Sequence, residues 1–218
     1  RFAKEKWPAA EQRKAAAIAH IDASVGQLLK QLDDPKLAEH TVVIFTSDNA
    51  AQKDGLCNPE FFNSNGPFRG SKGDLTEGGL RVPLLVRWPK RIQPGTTSDQ
   101  PVALWDLFAT AAEIAGVKDA PATDGISLVP ALLAQPQKVK RELLYWESHA
   151  PQFHQAIRAG DWKGIRAMPD GPLELFHLAR DPGEARDVAA DYPAVMKHLE
   201  TLLKSARTES TVWTVEKR

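Results

Sequence analysis

The sequence has 218 residues and 42% of them are hydrophobic, enough to build a packed core. Lys plus Arg and Asp plus Glu balance at 28 each, so no global field draws nucleic acid or an acidic membrane surface. No apolar run approaches the length of a membrane span, and a single cysteine, Cys57, excludes an internal disulfide. An anionic ligand would have to be held by cations gathered locally.

Arg1 to Ala10 shows no initiator Met, signal peptide or first strand, so the start reads as a truncation, a cleavage product or a fragment. From about Ala9 to Gln31 the apolar positions Ile18, Ile21, Val25, Leu28, Leu29 and Leu32 follow helical spacing. Asp33-Asp34-Pro35 ends that pattern, because proline cannot continue a helix. The helix is expected to cover a sheet and to feed the β-branched run Thr41–Ser47. A short continuous apolar run suits a strand buried on both faces of a parallel sheet. Asp48 and Asn49 follow at its carboxyl end, where open α/β sheets bind ligands.

About thirty residues without clear period separate this run from a second strand-like run, Val82–Trp88. A connection of that length in a compact domain is functional or disordered. Six of the fourteen glycines lie in it (Gly55, Gly66, Gly70, Gly73, Gly78, Gly79), with Arg69, Lys72 and Arg81. Glycines let backbone approach a ligand and clustered cations suit an oxyanion, which favours a functional loop. Pro94-Gly95 then marks a turn. Leu104–Ala115 reads as a helix with Gly116 as its C-terminal cap.

Composition changes after about Ala134, where Gln135-Pro136-Gln137-Lys138 is linker-like. Strands are predicted over Glu142–Glu147, Gln155–Ala159, Trp162–Arg166 and Leu173–Leu178, with Gly160-Asp161 as a two-residue hairpin connection. Arg180-Asp181-Pro182-Gly183 is a turn, and Tyr192–Ala206 is an amphipathic helix. The expected architecture is α/β: part of a mainly parallel sheet flanked by helices over 1–134. A small α+β subdomain follows over 135–218, an antiparallel sheet with one long helix.

Asp48 and Asn49 carry a carboxylate and a carbonyl oxygen, hard donors suited to calcium or magnesium; on spacing alone the pair also reads as a turn or an N-cap. Lys72 is either a compact point charge for an anion or a solvated loop lysine. Arg69 and Arg81 are candidate anion contacts that can equally pin the loop through carbonyls. Glu147, His149 and His154, near Trp146, suit a sugar by hydrogen bonding and stacking, or form a solvated strand end. His20 reads as a helix-surface or core histidine.

The motifs Ser47-Asp48-Asn49, Asn65-Gly66-Pro67-Phe68-Arg69-Gly70-Ser71-Lys72 and Glu77-Gly78-Gly79-Leu80-Arg81-Val82-Pro83, in this order, resemble the C-terminal part of the sulfatase family. That family belongs to the alkaline-phosphatase-like superfamily. Gln155–Lys163, Leu175-Phe176-His177-Leu178 and Asp181-Pro182 resemble its C-terminal subdomain, so the likeness covers nearly the whole chain. Asp124-Gly125-Ile126-Ser127-Leu128 resembles a structural turn of the family, read here as packing.

The resemblance implies that Asp48 and Asn49 ligate a metal, normally Ca²⁺ with Mg²⁺ as the alternative, and that Lys72 contacts the sulfate oxygens catalytically. It implies a formylglycine nucleophile in an N-terminal part that this chain lacks. Cys57-Asn58-Pro59-Glu60-Phe61 has Phe61 where the signature Cys-x-Pro-x-Arg has arginine, and it follows the SDN strand. Cys57 is therefore read as an ordinary loop cysteine. Two departures stand out: Ala50 replaces a common glycine, and Gln52, a substrate-contact candidate, stands where histidine is frequent. The function implied is hydrolysis of a sulfate ester on a sulfated carbohydrate, with a sulfated small molecule or glycan as the partner, in the periplasm or outside the cell, and with this chain inactive alone. The alternatives are a phosphodiester or phosphonate hydrolase of the same superfamily, or a non-catalytic remnant that binds sulfated glycans.

Overall fold

The computed structural model describes residues 2–54, 57–149 and 152–212. In chain order the elements are α1 (Ala9–Gln31), α2 (Pro35–Ala38), β1 (Val43–Thr46), α3 (Glu77–Leu80), β2 (Leu84–Arg87), α4 (Asp106–Ile114) and α5 (Val129–Leu132). Then come β3 (Leu144–Ser148), β4 (His154–Ala159), β5 (Trp162–Arg166), β6 (Glu174–His177), a 3₁₀ turn (Ala189–Asp191) and α6 (Pro193–Ala206). They gather into two compact units, interleaved along the chain. One joins Arg1–Asp48 to Pro83–Arg141, and the other joins Asn49–Val82 to Glu142–Arg218.

In the first unit, β1 and β2 pair antiparallel, with Phe45 opposite Leu85 and Thr46 opposite Leu84. This corrects the expected parallel setting of the Thr41 strand. A parallel pair needs a crossover, usually a long helix, whereas the segment between these strands contains only the four-residue α3. The strand is not buried on both faces either: Phe45 and Leu85 are 38% and 61% exposed on their shared face.

Helix α1 matches its predicted span, but its apolar stripe is not covered within this unit, since Ile18, Ile21 and Leu28 are all more than half exposed. Length explains the difference. A helix of 23 residues runs about 34 Å, while four-residue strands run about 13 Å.

Helix α4 is fixed by its polar residues. Asp106 is wholly buried and accepts the N–H groups of Ala103 and Ile126 at 2.8 and 2.9 Å. Thr110 Oγ1 accepts the N–H of Leu128 and donates to the Asp106 carbonyl. One Arg141 nitrogen lies 2.5 Å from both Asp106 carboxylate oxygens and neutralises them. A Cβ on Gly125 would stand 2.3 Å from the Trp105 carbonyl oxygen, so the 124–128 turn can pack this closely only with glycine. Gly116 ends α4 at φ +70°.

In the second unit, β3, β4, β5 and β6 form one antiparallel sheet in sequence order. Gly160, at φ +58°, makes the tight turn between Ala159 and Trp162. Leu199 and Leu203 of α6 pack on Ile157, Leu173 and Leu175 to form the core. Each such side chain, fully buried, contributes roughly 1.5–3 kcal/mol. Segment 49–82 belongs with this sheet, although it lies between β1 and β2 in sequence.

Candidate active site

The glycine-rich segment is ordered by its own polar groups. Asn65 Nδ2 donates to the Gly70 carbonyl at 2.6 Å, and Asp74 Oδ2 accepts the Ser71 N–H at 2.8 Å. Gly70 sits at φ +92°, and a Cβ there would overlap Thr76 Oγ1. The Gly78 N–H donates to the Arg69 carbonyl at 2.7 Å, closing residues 69–78 into a compact turn. At its apex the Lys72 N–H donates to the Ala51 carbonyl at 2.9 Å, and its side chain is exposed. That bond brings Lys72 to the segment that begins at Asn49 and contains Gln52.

Asp48 is exposed and Asn49 half-buried, both just beyond the end of β1. Among the described residues no group of three His, Cys, Asp or Glu side chains could hold a metal ion. The Asp48 carboxylate and Asn49 carbonyl are hard donors, and Ca²⁺ takes six to eight oxygens. Their donor chemistry fits as part of such a set. Gln52 is exposed and donates to Asp54 Oδ2. Cys57 is a free, half-buried thiol.

The arginines of the segment are engaged in packing. The Arg69 guanidinium lies 5.1 Å from the centre of the Phe176 ring, and that of Arg81 lies 4.3 Å from Phe68. Arg81 Nε also donates to Glu77 Oε2 at 2.7 Å.

The second group of predicted residues meets at the β3–β4 edge. There Ser148 pairs with His154 and Glu147 with Gln155. Glu147 is the hub: Oε1 lies 2.7 Å from His149 Nε2, and Oε2 accepts from Arg207 Nε at 2.8 Å and from the Tyr145 hydroxyl. Burial pushes the Glu147 carboxyl up, but Tyr145, His149 and Arg207 outweigh it and hold it below its ordinary value. Burial, and then Glu147 itself, push the Tyr145 phenol well up. The hub is a fixed anion that orients the His149 ring.

Sequence reading missed a cluster of buried charges in the second unit. Lys163 on β5 is fully inaccessible, as is Glu184, and Glu77 is 3% exposed. Lys163 Nζ donates to Glu77 Oε1 at 2.8 Å and makes an ionic contact of 2.8 Å with Glu184 Oε1. Glu184 Oε2 in turn accepts the Glu77 N–H at 2.7 Å. Burial raises the Glu77 carboxyl, yet Lys163 and Arg81 prevail and leave it below its ordinary value. One sequence signal was available. Lys163 stands among Trp162, Gly164 and Ile165, an apolar setting in which a lysine needs a partner.

Comparison with known proteins bears on the family. Residues 5–117 match the family described as Sulfatase, and residues 71–209 match the one described as N-sulphoglucosamine sulphohydrolase, C-terminal. The chain belongs to the sulfatase family. It is 34% identical to mouse (Mus musculus) steryl-sulfatase, with 85% of this chain and 35% of that protein covered. It is 33% identical to human (Homo sapiens) N-acetylgalactosamine-6-sulfatase, with 79% and 38% covered. It thus spans little more than a third of these curated relatives. Ps i-CgsB in complex with k-i-k-neocarrahexaose superposes with a TM-score of 0.76 at 27% identity, over 92% of this chain and 44% of that one. The phosphonate monoester hydrolase of Agrobacterium radiobacter gives 0.65 at 26% identity, over 92% and 44%. No helix among the described residues is long and apolar enough to cross a membrane.

Proposed function

We propose that this chain is the C-terminal portion of a sulfuric ester hydrolase acting on a sulfated carbohydrate, with Lys72 contacting the sulfate oxygens. The observation that carries the reading is the 69–78 turn, which presents an exposed lysine at its apex and is tied through Ala51 to the segment after Asp48-Asn49. A compact ammonium held there before reaction stabilises charge that develops on the sulfuryl group and the leaving oxygen. Asp48 and Asn49 would hold part of a Ca²⁺ site, and the ion would supply positive charge for an anionic ester. Mg²⁺ is the alternative ion. The formylglycine nucleophile, whose signature is absent from this sequence, would come from the remainder of the longer protein, which is this chain's partner in the site. Gln52, Arg69, Glu147, His149 and His154 are the candidate substrate contacts. Of these, Arg69 lies over Phe176 and Glu147 is engaged in orienting His149. The name of one relative, N-acetylgalactosamine-6-sulfatase, and the neocarrahexaose in the Ps i-CgsB complex support a sugar as the alcohol, whereas steryl-sulfatase is named for a sterol.

A second reading, a phosphonate or phosphodiester hydrolase, is favoured by the Agrobacterium neighbour. Full-length protein should hydrolyse an aryl sulfate faster than an aryl phosphonate. Asp48→Ala should lower its bound calcium, read by elemental analysis, together with its turnover. Faster phosphonate cleavage selects the second reading, and unchanged metal content removes Asp48 from the metal.

A further inference from the structure

The buried ion cluster of the second unit has no part in the chemistry described above, and its cost calls for a reason. Bringing an ammonium and two carboxylates out of water carries a desolvation penalty of several kcal/mol per ion, and apolar residues of similar volume often serve stability as well or better. Here Lys163 and Glu184 are wholly inaccessible. Glu184 moreover adopts φ +53°, a left-handed conformation that a residue with a Cβ disfavours. Its Oε2 nevertheless accepts the Glu77 N–H, and its Oε1 is in ionic contact with Lys163 without a hydrogen bond.

From Glu77 a continuous run of contacts leads to the loop apex. Glu77 begins the one-turn helix α3, and the next two residues are glycines that backbone presses upon directly. A Cβ on Gly78 would stand 2.5 Å from the Arg69 carbonyl oxygen. On Gly79 it would stand 2.2 Å from that of Asp74 and 2.6 Å from that of Ser71. Where Glu77 sits therefore dictates where residues 69–74 sit, and Lys72 lies among them.

We propose that Lys163 is a positioning residue: by tying Glu77 to Glu184 it holds the 69–78 turn in the one conformation that presents the Lys72 ammonium. The functional half of this inference rests on the reading of Lys72 as a sulfate contact; the mechanical half does not. Among the described residues three cations reach Glu77: Lys163 and Arg158 lie on the sheet and Arg81 lies on the loop itself. Of these three, Lys163 alone is also in ionic contact with Glu184 among the described residues, at 2.8 Å.

The test uses the full-length protein with Lys163→Met and with Lys163→Met/Glu184→Gln. The double variant removes one charge of each sign and keeps an oxygen for the Glu77 N–H, so it guards against simple misfolding of the single one. Amide exchange at Lys72, Asp74 and Gly78 should quicken at least about tenfold while the β4–β6 amides keep their protection. On a sulfate ester, kcat should fall about tenfold to a hundredfold, as for a catalytic group displaced by about an ångström. Lys72→Ala added to Lys163→Met should cost little beyond Lys72→Ala alone, because both act through one ammonium.

Equal quickening of sheet and loop amides in both variants would make Lys163 a merely structural residue and overturn the inference. Faster loop exchange with unchanged kcat would overturn it as well. A wild-type protein inert toward every sulfate ester would instead remove the reading of Lys72, and exchange alone would then decide whether Lys163 ties the loop.

Discussion

At the scale of single residues, Lys72 and Glu77 differ by burial, and so do their predicted effects. Lys72 is exposed, so its replacement should leave stability within about 0.5 kcal/mol. In the full-length protein Lys72→Ala should lower kcat on a sulfate ester by about a hundredfold, the loss expected for a donor that stabilises developing charge. Arginine should rescue it poorly, because a broad planar fork does not replace a compact ammonium. Kinetics paired with a thermal melt checks this; activity lost only in step with folded protein would mark Lys72 as structural. Glu77 titrates below its ordinary value of 4.5 in the folded protein. A depressed carboxylate contributes stability that is fully present above its unfolded pKa and is lost as pH falls through the folded one. Wild-type should therefore melt above Glu77→Gln at neutral pH, with the gap closing below about pH 4. A gap that stayed constant on acidification would contradict the assigned ion pairs.

Helix α4 and its turn form the clearest element-scale unit. Its buried Asp106 receives two backbone N–H groups and one arginine. Removing the arginine leaves a buried charge without its counter-ion. Arg141→Ala should therefore cost about 3–5 kcal/mol, read as a lowered denaturant midpoint. A loss below about 1 kcal/mol would mean that water replaces the guanidinium, as at an exposed pair. Strands β1 and β2 behave differently. Each has four residues, and their shared face exposes Phe45 and Leu85. A two-stranded ribbon is marginal in water by itself.

For the whole molecule, exposed apolar surface is concentrated in the first unit. It includes Ile18, Ile21 and Leu28 on α1 as well as the ribbon face. Such surface associates or binds hydrophobic probes. The 218-residue chain expressed by itself should elute as soluble aggregate, or bind a hydrophobic dye strongly, in size-exclusion and fluorescence measurements. A monomer with a sharp cooperative melt and no dye binding would show that these residues suffice for a closed core.

The sequence alone determined what depends on neighbours a few residues away. Helical spacing located α1 and α6, period and turn chemistry located β4 and β5 around Gly160, and the glycine-rich segment with its lysine stood out from composition. Motifs in order carried the family, because a turn in which other residues press on Gly70, Gly78 and Gly79 needs small residues at fixed spacing. Pairing direction was beyond local reading: an apolar run of four residues suits a parallel or an antiparallel neighbour equally well. The ion cluster was out of reach for the same reason. Lys163 finds Glu77 across 86 residues, and Glu77 finds Glu184 across 107. A charged residue reads from sequence as solvated, and only the tertiary structure decides otherwise, by removing water from it and supplying the opposite charge from distant chain.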